Sequence, residues 1–372
     1  VSSNPLIELQ KLGQSVWFDN ISRGMILSGQ LRQMIEEDGL SGVTSNPTIF
    51  HKAITDSDDY QDDMAQAAAR GMTDPEELFY ALAYRDIQMA ADCFREVYDT
   101  TQGIDGYVSI EVSPHLARDT ERTISQARRI AATVGRQNVL IKVPATEEGI
   151  PAIQALIAEG INVNVTLLFA IERYEQAANA YLGGLEARAQ QGKPLDSVAS
   201  VASFFVSRVD TMVDGLLEDR VSETQSDSEV AQLRELLGNA AVANAKLAYR
   251  KYREILSASR FSLLKNQGAR PQRVLWASTS TKNPAYNDLI YVEELVGPDT
   301  VTTLPPATYD ALKDHGKVQQ TVERDIDKAE DIIRKLADFG ISLDEVTSRL
   351  EVDGVKRFAD SHDAIMSSMA SR

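Results

Sequence analysis

One cysteine, Cys93, stands among 372 residues. A lone thiol forms no internal disulfide, so a reducing compartment fits. Positive charge is scarce: 38 Lys and Arg against 55 Asp and Glu give a net charge of −17. A chain this acidic repels phosphate backbones and anionic lipid surfaces, which argues against nucleic-acid and membrane-surface roles. No apolar run approaches the roughly 20 residues of a membrane span. The segment "VSSNPLIELQ" lacks a basic start and an apolar core, so no signal peptide is expected and the cytoplasm is the expected compartment. The phosphate-binding glycine loop, the dinucleotide fingerprint and the nucleophile elbow are missing too. The four histidines, His51, His115, His315 and His362, lie far apart without metal-ligand spacing. A lone histidine is ordinarily solvated, so no metal is expected. Linkers rich in Pro, Ser or Gly, low-complexity tracts and fixed-period repeats are absent as well.

What is present is an ordinary globular composition, 43% hydrophobic and 25% charged. Short apolar runs alternate with longer amphipathic stretches. The runs predict strands at 15–20, 42–46, 106–112, 138–143, 162–168, 197–206, 273–278 and 300–304. Helical patterns fill the intervals, as at 75–97 and 120–135. Thr73-Asp74-Pro75-Glu76 supplies a capping residue and a first-turn proline for the first of these. Strict alternation implies parallel strands joined by crossover helices. Eight units match an α/β fold of the (β/α)8 TIM-barrel class, with a doubly wound open sheet as the alternative. One domain is expected over 1–372. Additional helices are expected before strand 7, at about 220–262, and as a C-terminal extension at about 318–371. Both are expected to cover the outer surface or edge an assembly.

Several strands carry polar residues on one alternating face. Ser109 and Glu111 share a parity in "YVSIEV"; Asn162, Asn164 and Thr166 do so in "NVNVT". Lys142 opposes Ile141 and Val143 in "NVLIKVPATEEG", just before Pro144 interrupts the ladder. Asp19 follows Phe18 at the end of "VWFD". In a barrel that parity points inward, and the carboxyl ends of the strands converge at one mouth, where barrel enzymes do their chemistry. A central lysine with two carboxylates points to Schiff-base chemistry. Desolvation favours a neutral amine that attacks a carbonyl, and carboxylates move the protons. Taken singly, each residue has a plainer reading. Lys142 could snorkel or pair with Glu111, Asp19 could cap the helix in "DNISRGM", and Asn164 and Thr166 could fill the barrel. Their joint placement on separate strand ends carries the catalytic reading.

Two strand-to-helix junctions offer an anion site. "VASFFVSRVD" holds Ser203 and Arg208, and "WASTSTKNPAYND" holds Ser278 and Lys282. Helix starts present free N–H groups and a positive dipole end. The plainer reading makes Arg208 and Lys282 surface charges, with Arg208 paired to Asp210 or a neighbour.

The motifs "GVTSNPTIF", "VSIEVSPHLARDT", "LIKVPATEEGI", "NVNVTLLF" and "SFFVSRVD" together resemble the transaldolase family, over nearly the whole barrel. The resemblance implies transfer of a dihydroxyacetone unit between sugar phosphates through a lysine Schiff base, with no cofactor or metal. The donor would be sedoheptulose 7-phosphate or fructose 6-phosphate, and the acceptor glyceraldehyde 3-phosphate or erythrose 4-phosphate. It assigns the Schiff base to Lys142, the hydroxyl proton to Asp19, action through a water to Glu111 and orientation of that water to Thr166. Asn46 and Asn164 would bind substrate hydroxyls, and Ser203, Arg208 and Ser278 the phosphate. One departure is the longer run "ASTSTKN", which puts Lys282 where many relatives have an arginine; lysine lacks the bidentate fork. A simple aldolase of the same superfamily is the nearest rival. Its members typically carry glutamine and tyrosine at the positions of Glu111 and Phe205, so both residues here side with transaldolase. A non-catalytic sugar-phosphate-binding barrel is the other alternative. Sugar phosphates are the expected partners, with no nucleic acid and no membrane, and the chain is compatible with a monomer or a homodimer.

Overall fold

The computed structural model describes residues 4–370. Residues 1–3, 371 and 372, which the expected domain includes, lie outside the described residues. The strands are β1 (Gln14–Phe18), β2 (Gly42–Val43), β3 (Tyr107–Glu111), β4 (Val139–Pro144), β5 (Val163–Leu168), β6 (Ser200–Phe205), β7 (Arg273–Ala277) and β8 (Thr300–Leu304). All pair in parallel, and β1 closes on β8 from Gln14↔Thr300 to Phe18↔Leu304. Closure excludes the open doubly wound sheet. Six strands fall within two residues of their expected bounds; β2 ends three residues early and β6 begins three residues late.

The alternation read from the sequence has a physical cause. Val139, Ile141 and Val143 pack outward under helices, while Leu140 and Lys142 point into the barrel. Crossover helices begin where their capping chemistry predicts. Asp74 caps Pro75–Cys93 by accepting from Glu77 N–H, and Asp119 caps Thr120–Val134 by accepting from Arg122 N–H. Gly135, at φ 59°, ends the second of these in a left-handed turn. The stretch expected as one helix over 75–97 breaks after Cys93 and resumes as Arg95–Thr100.

The barrel floor is built around Trp17. A Cβ on Gly42, its register partner, would fall 2.6 Å from the indole, so only glycine fits there. Trp17 Nε1 donates to Asp105 Oδ1 at 2.7 Å, and Ser15 Oγ donates to Asp105 Oδ2. Arg273 Nη1 donates to Ser15 Oγ at 2.6 Å, its Nη2 donates to Ile104 O at 2.8 Å, and the guanidinium stands 3.5 Å from Asp105.

Between β6 and β7 run four helices, Ser207–Glu223, Asp227–Leu236, Ala240–Ser257 and Ser259–Lys265, where the sequence predicts a helical block. After β8 come Pro306–His315, Ile326–Asp338 and the 28-residue helix Leu343–Ala370. That last helix corrects the expectation of an outer-surface position. Its buried residues include Gly354, Phe358, His362, Ile365 and Met369, spaced along one side. Gly354 approaches β5 so closely that a Cβ would meet Leu167 at 2.9 Å. Phe358 lies over the barrel mouth, because an apolar stripe has to be covered and the mouth supplies the cover.

Candidate active site

Glu111, Lys142 and Asn164 stand side by side in one row across β3, β4 and β5. All three are buried. Lys142 Nζ donates to the Ser45 carbonyl at 2.8 Å and lies 3.4 Å from Glu111 Oε2. Its third side meets the face of Phe358, 5.7 Å from the ring centroid. Asn164 is fixed at both ends of its amide: Nδ2 donates to Ser109 Oγ at 3.1 Å, and Oδ1 accepts from Ser203 Oγ at 2.6 Å. Thr166 is fully buried, and its hydroxyl has no partner among the described residues.

Asp19 sits just past β1, where its N–H donates to Leu304 O. Its carboxylate accepts from Thr44 Oγ1 at 2.7 Å, and Thr44 in turn pairs with Thr303 at 2.6 Å. Asp19 does not cap the following helix; Ser22 does, by accepting from Met25 N–H. Burial pushes the Asp19 carboxyl above its ordinary value, with the Thr44 hydrogen bond and the charges of Lys142, Lys282 and Arg208 pulling it back. Burial likewise raises Glu111, opposed by Lys142 and assisted by Asp19.

A cavity of about 630 Å³ opens above this row. Asp19, Asn46, Lys142, Thr166, Ser203 and Phe205 line its inner part; Arg208, Ser278 and Lys282 line it as well. Glu111 and Asn164 stand behind its wall. Glu111 instead borders a small adjoining space with Asn46, Tyr80 and His362. Asn46 caps the helix Pro47–Thr55 through Oδ1, which accepts from Ile49 N–H at 3.0 Å, so its amide nitrogen is the group left for a ligand.

The cationic side of the cavity forms where the helix Ser207–Glu223 begins, with no side-chain cap on its first N–H groups. Ser278 bends there into the left-handed region at φ 55°, accepts from Ser207 N–H at 3.1 Å and pairs with Ser207 Oγ at 2.9 Å. A non-glycine residue held this way is strained, and such strain gathers at functional sites. Arg208 lies over the Phe205 ring at 5.4 Å. Asp210 is not its partner; Asp210 accepts from Ala241 N–H and Tyr291 O–H. Burial and the nearby Arg357 pull Arg208 below its ordinary value, yet a guanidinium keeps its charge. Lys282 is lowered by burial and by Arg208, and donates to Ser280 Oγ at 2.6 Å.

The structure therefore brings together every site residue read from the sequence, in two shells: nine on the cavity wall, Glu111 and Asn164 behind it. Ser203 is tied to Asn164 rather than to the cationic side. Sequence reasoning missed Thr44 and Thr303, although both are polar residues at strand ends like those it found. It also missed Lys52 on the cavity wall, the Ser45 carbonyl and Phe358. A main-chain acceptor has no sequence signal, and Phe358 is one apolar residue of a long amphipathic helix. His115 and His362, far apart in sequence, meet with ring centroids 5.5 Å apart, and His362 is buried rather than solvated.

A family model described as Transaldolase/Fructose-6-phosphate aldolase matches residues 16–369. The chain is 46% identical to a transaldolase of Trichodesmium erythraeum over 369 residues, 99% of this chain and 97% of that one. It is 47% identical to a transaldolase of Thermobifida fusca over 368 residues, covering 99% and 98%. A transaldolase of Acidothermus cellulolyticus is 48% identical over 357 residues, covering 96% and 93%.

Proposed function

The chain belongs to the transaldolase/fructose-6-phosphate aldolase family, and from that premise we infer that it is a transaldolase, a transferase of dihydroxyacetone units between sugar phosphates. The observation that carries the reading is the buried Lys142 held between Glu111 and the Ser45 carbonyl, at the inner end of a cavity whose other side is cationic. The donor is sedoheptulose 7-phosphate or fructose 6-phosphate, and the acceptor is glyceraldehyde 3-phosphate or erythrose 4-phosphate.

Lys142 must meet the donor as a neutral amine. Glu111, made more basic by burial, is near enough to take its proton. The amine attacks the donor's C2 carbonyl, and the carbinolamine loses water to give an iminium. Protonated Glu111 supplies the proton for that departure. The Thr166 hydroxyl, buried and free of other partners among the described residues, is suited to hold a water between itself and Glu111. Asp19, raised by burial and steadied by Thr44, accepts the C4 hydroxyl proton. The C3–C4 bond breaks, its electron pair moves into the iminium, and the aldose phosphate leaves. The bound three-carbon enamine then attacks the acceptor aldehyde, Asp19 returns the proton, and hydrolysis frees Lys142.

Asn164, fixed through Ser109 and Ser203, and Asn46, fixed by its capping bond, are placed to hold the hydroxyls of the three-carbon unit. Ser278, Arg208 and Lys282, beside an uncapped helix start, receive the phosphate. Phe205 presents a ring with no hydroxyl, so it gives the enamine no proton to take before the acceptor arrives. That favours transfer over simple aldol cleavage.

Incubation with fructose 6-phosphate followed by borohydride tests the mechanism. A covalent three-carbon or six-carbon adduct is expected on the wild-type protein and none on Lys142→Ala; an unmodified wild-type protein overturns it. Release of free dihydroxyacetone without acceptor, at the rate of transfer, would instead assign a plain aldolase.

A further inference from the structure

The helix Leu343–Ala370 places Phe358 over Lys142, and one turn later it places His362 in the interior. His362 is 3% exposed, and neither of its ring nitrogens has a hydrogen-bond partner among the described residues. Its ring stands edge-on to Phe79 at 6.0 Å and to His115 at 5.5 Å. His115 belongs to the short turn Pro114–Leu116 after β3, and its Nε2 lies 2.6 Å from Asp363 Oδ1. One ligand atom from each of His115, His362 and Asp363 lies within 4.8 Å of the other two. A cavity of about 490 Å³ opens beside them, giving an ion a way in.

An imidazole buried with both nitrogens unpaired is costly, and burial is normally accepted only where a partner exists. We propose that His115, His362 and Asp363 bind a divalent transition-metal ion of the zinc class, fastening the C-terminal helix to the turn after β3. Two imidazoles and one carboxylate suit zinc, nickel or copper; magnesium and calcium prefer oxygen throughout. Ligand bonds of about 2.0–2.2 Å in a tetrahedron set neighbouring donor atoms roughly 3.3 Å apart. The His115–Asp363 hydrogen bond therefore opens on binding. Both side chains are about half exposed or more and can turn, whereas His362 is the fixed anchor. The fourth position faces the cavity and takes water. Arg122 and Arg129 also border that cavity, but both are exposed and screened, and Glu76 offsets one of them.

The ion takes no part in the Schiff-base chemistry. Its effect is on the helix: His362 borders the same small space as Glu111, and Phe358 is one turn away from the metal. Occupancy holds the roof of the mouth in place.

The full chain, stripped with a chelator and dialysed, is titrated with Zn²⁺ by calorimetry and with Co²⁺ by visible absorption. One ion per chain is expected, with the ligand-field bands of a four-coordinate site. His362→Gln and His115→Ala should each weaken binding about 100-fold, and Asp363→Asn about tenfold. Zn²⁺ should slow amide exchange across 343–370 in the wild type and leave it unchanged in His362→Gln. His115 is on the surface, so its variant stays informative if the His362 variant fails to fold. Failure to bind one equivalent, or equal binding by wild type and a His115→Ala/His362→Gln double variant, overturns the site.

Discussion

The two ends of the barrel both bury charge, and they do opposite things with it. At the floor, Arg273, Asp105, Ser15 and Trp17 point at one another, and Arg273 also satisfies Ile104 O. At the mouth, Lys142 has two partners, Asp19 has a threonine, the Thr166 hydroxyl has none among the described residues, and Arg208 faces a cavity. Desolvated charge is tolerated only when paired or when a ligand completes it. The Arg273–Asp105 cluster is closed on its own members without a ligand, whereas the mouth keeps donors and acceptors for one. A buried ion pair alone says little about function; which end of the strands it occupies, and what it leaves unpaired, says more.

That contrast breaks most directly at its two cations. Lys142→Ala should lower transfer by about 10⁴-fold or more, the scale of losing a covalent nucleophile. Its melting temperature should stay within a few degrees of wild type. Arg273→Ala should do the reverse: it leaves the buried Asp105 carboxylate without its counter-charge and costs about 3–5 kcal/mol of stability in denaturant titration. Activity per folded molecule should hold. A folded but inactive Arg273→Ala would erase the distinction.

Asp19→Asn sharpens the roles within the mouth. It should lower kcat by about 10²–10⁴-fold, as removing a general base does, while borohydride still traps the donor on Lys142. Arg208→Ala should reduce kcat/KM for phosphorylated donors by about 100-fold, through charge-assisted hydrogen bonds lost to the phosphate. Donors without phosphate should react as before; equal loss for both would remove the phosphate role.

The smallest effect separates a structural carboxylate from the catalytic pair. Burial pushes Asp210 up to about 6, although Ala241 N–H and Tyr291 O–H bond it. A folded pKa above the unfolded one means stability that is present below about pH 4 and lost as pH rises through about 6. Relative to Asp210→Asn, the wild type should therefore lose up to about 3 kcal/mol across that window. A flat difference in paired melts from pH 4 to 7 would refute it, while transfer activity should be unaffected.

Most of the barrel was legible because the signal is local. Strand parity, caps such as Asp74 and the alternation of eight units each need only neighbouring residues. Lys142, Glu111 and Thr166 were legible for the same reason: a polar residue on the inward parity near a strand's end has few other places to go. Arg208 needed the idea of a helix start as well. Phe358 and the meeting of His115 with His362 were not legible, since they depend on where a 28-residue helix crosses the mouth. Its stripe announces burial without naming what lies beneath. The Ser45 carbonyl was invisible because backbone atoms are common to every sequence.

The position of Phe358 also bears on how the protein comes into being. Every strand, Lys142, Asp19 and the cationic pocket precede residue 305 in the chain, whereas the ring over Lys142 comes from residue 358. The ring over the amine is thus among the last parts of the site to be synthesised. A product stopped after β8 would lack that ring and also the helix Pro306–His315, whose Tyr309 and Lys313 bond Asp38, so the cover of the site and part of the barrel's outer layer are both the last to be made.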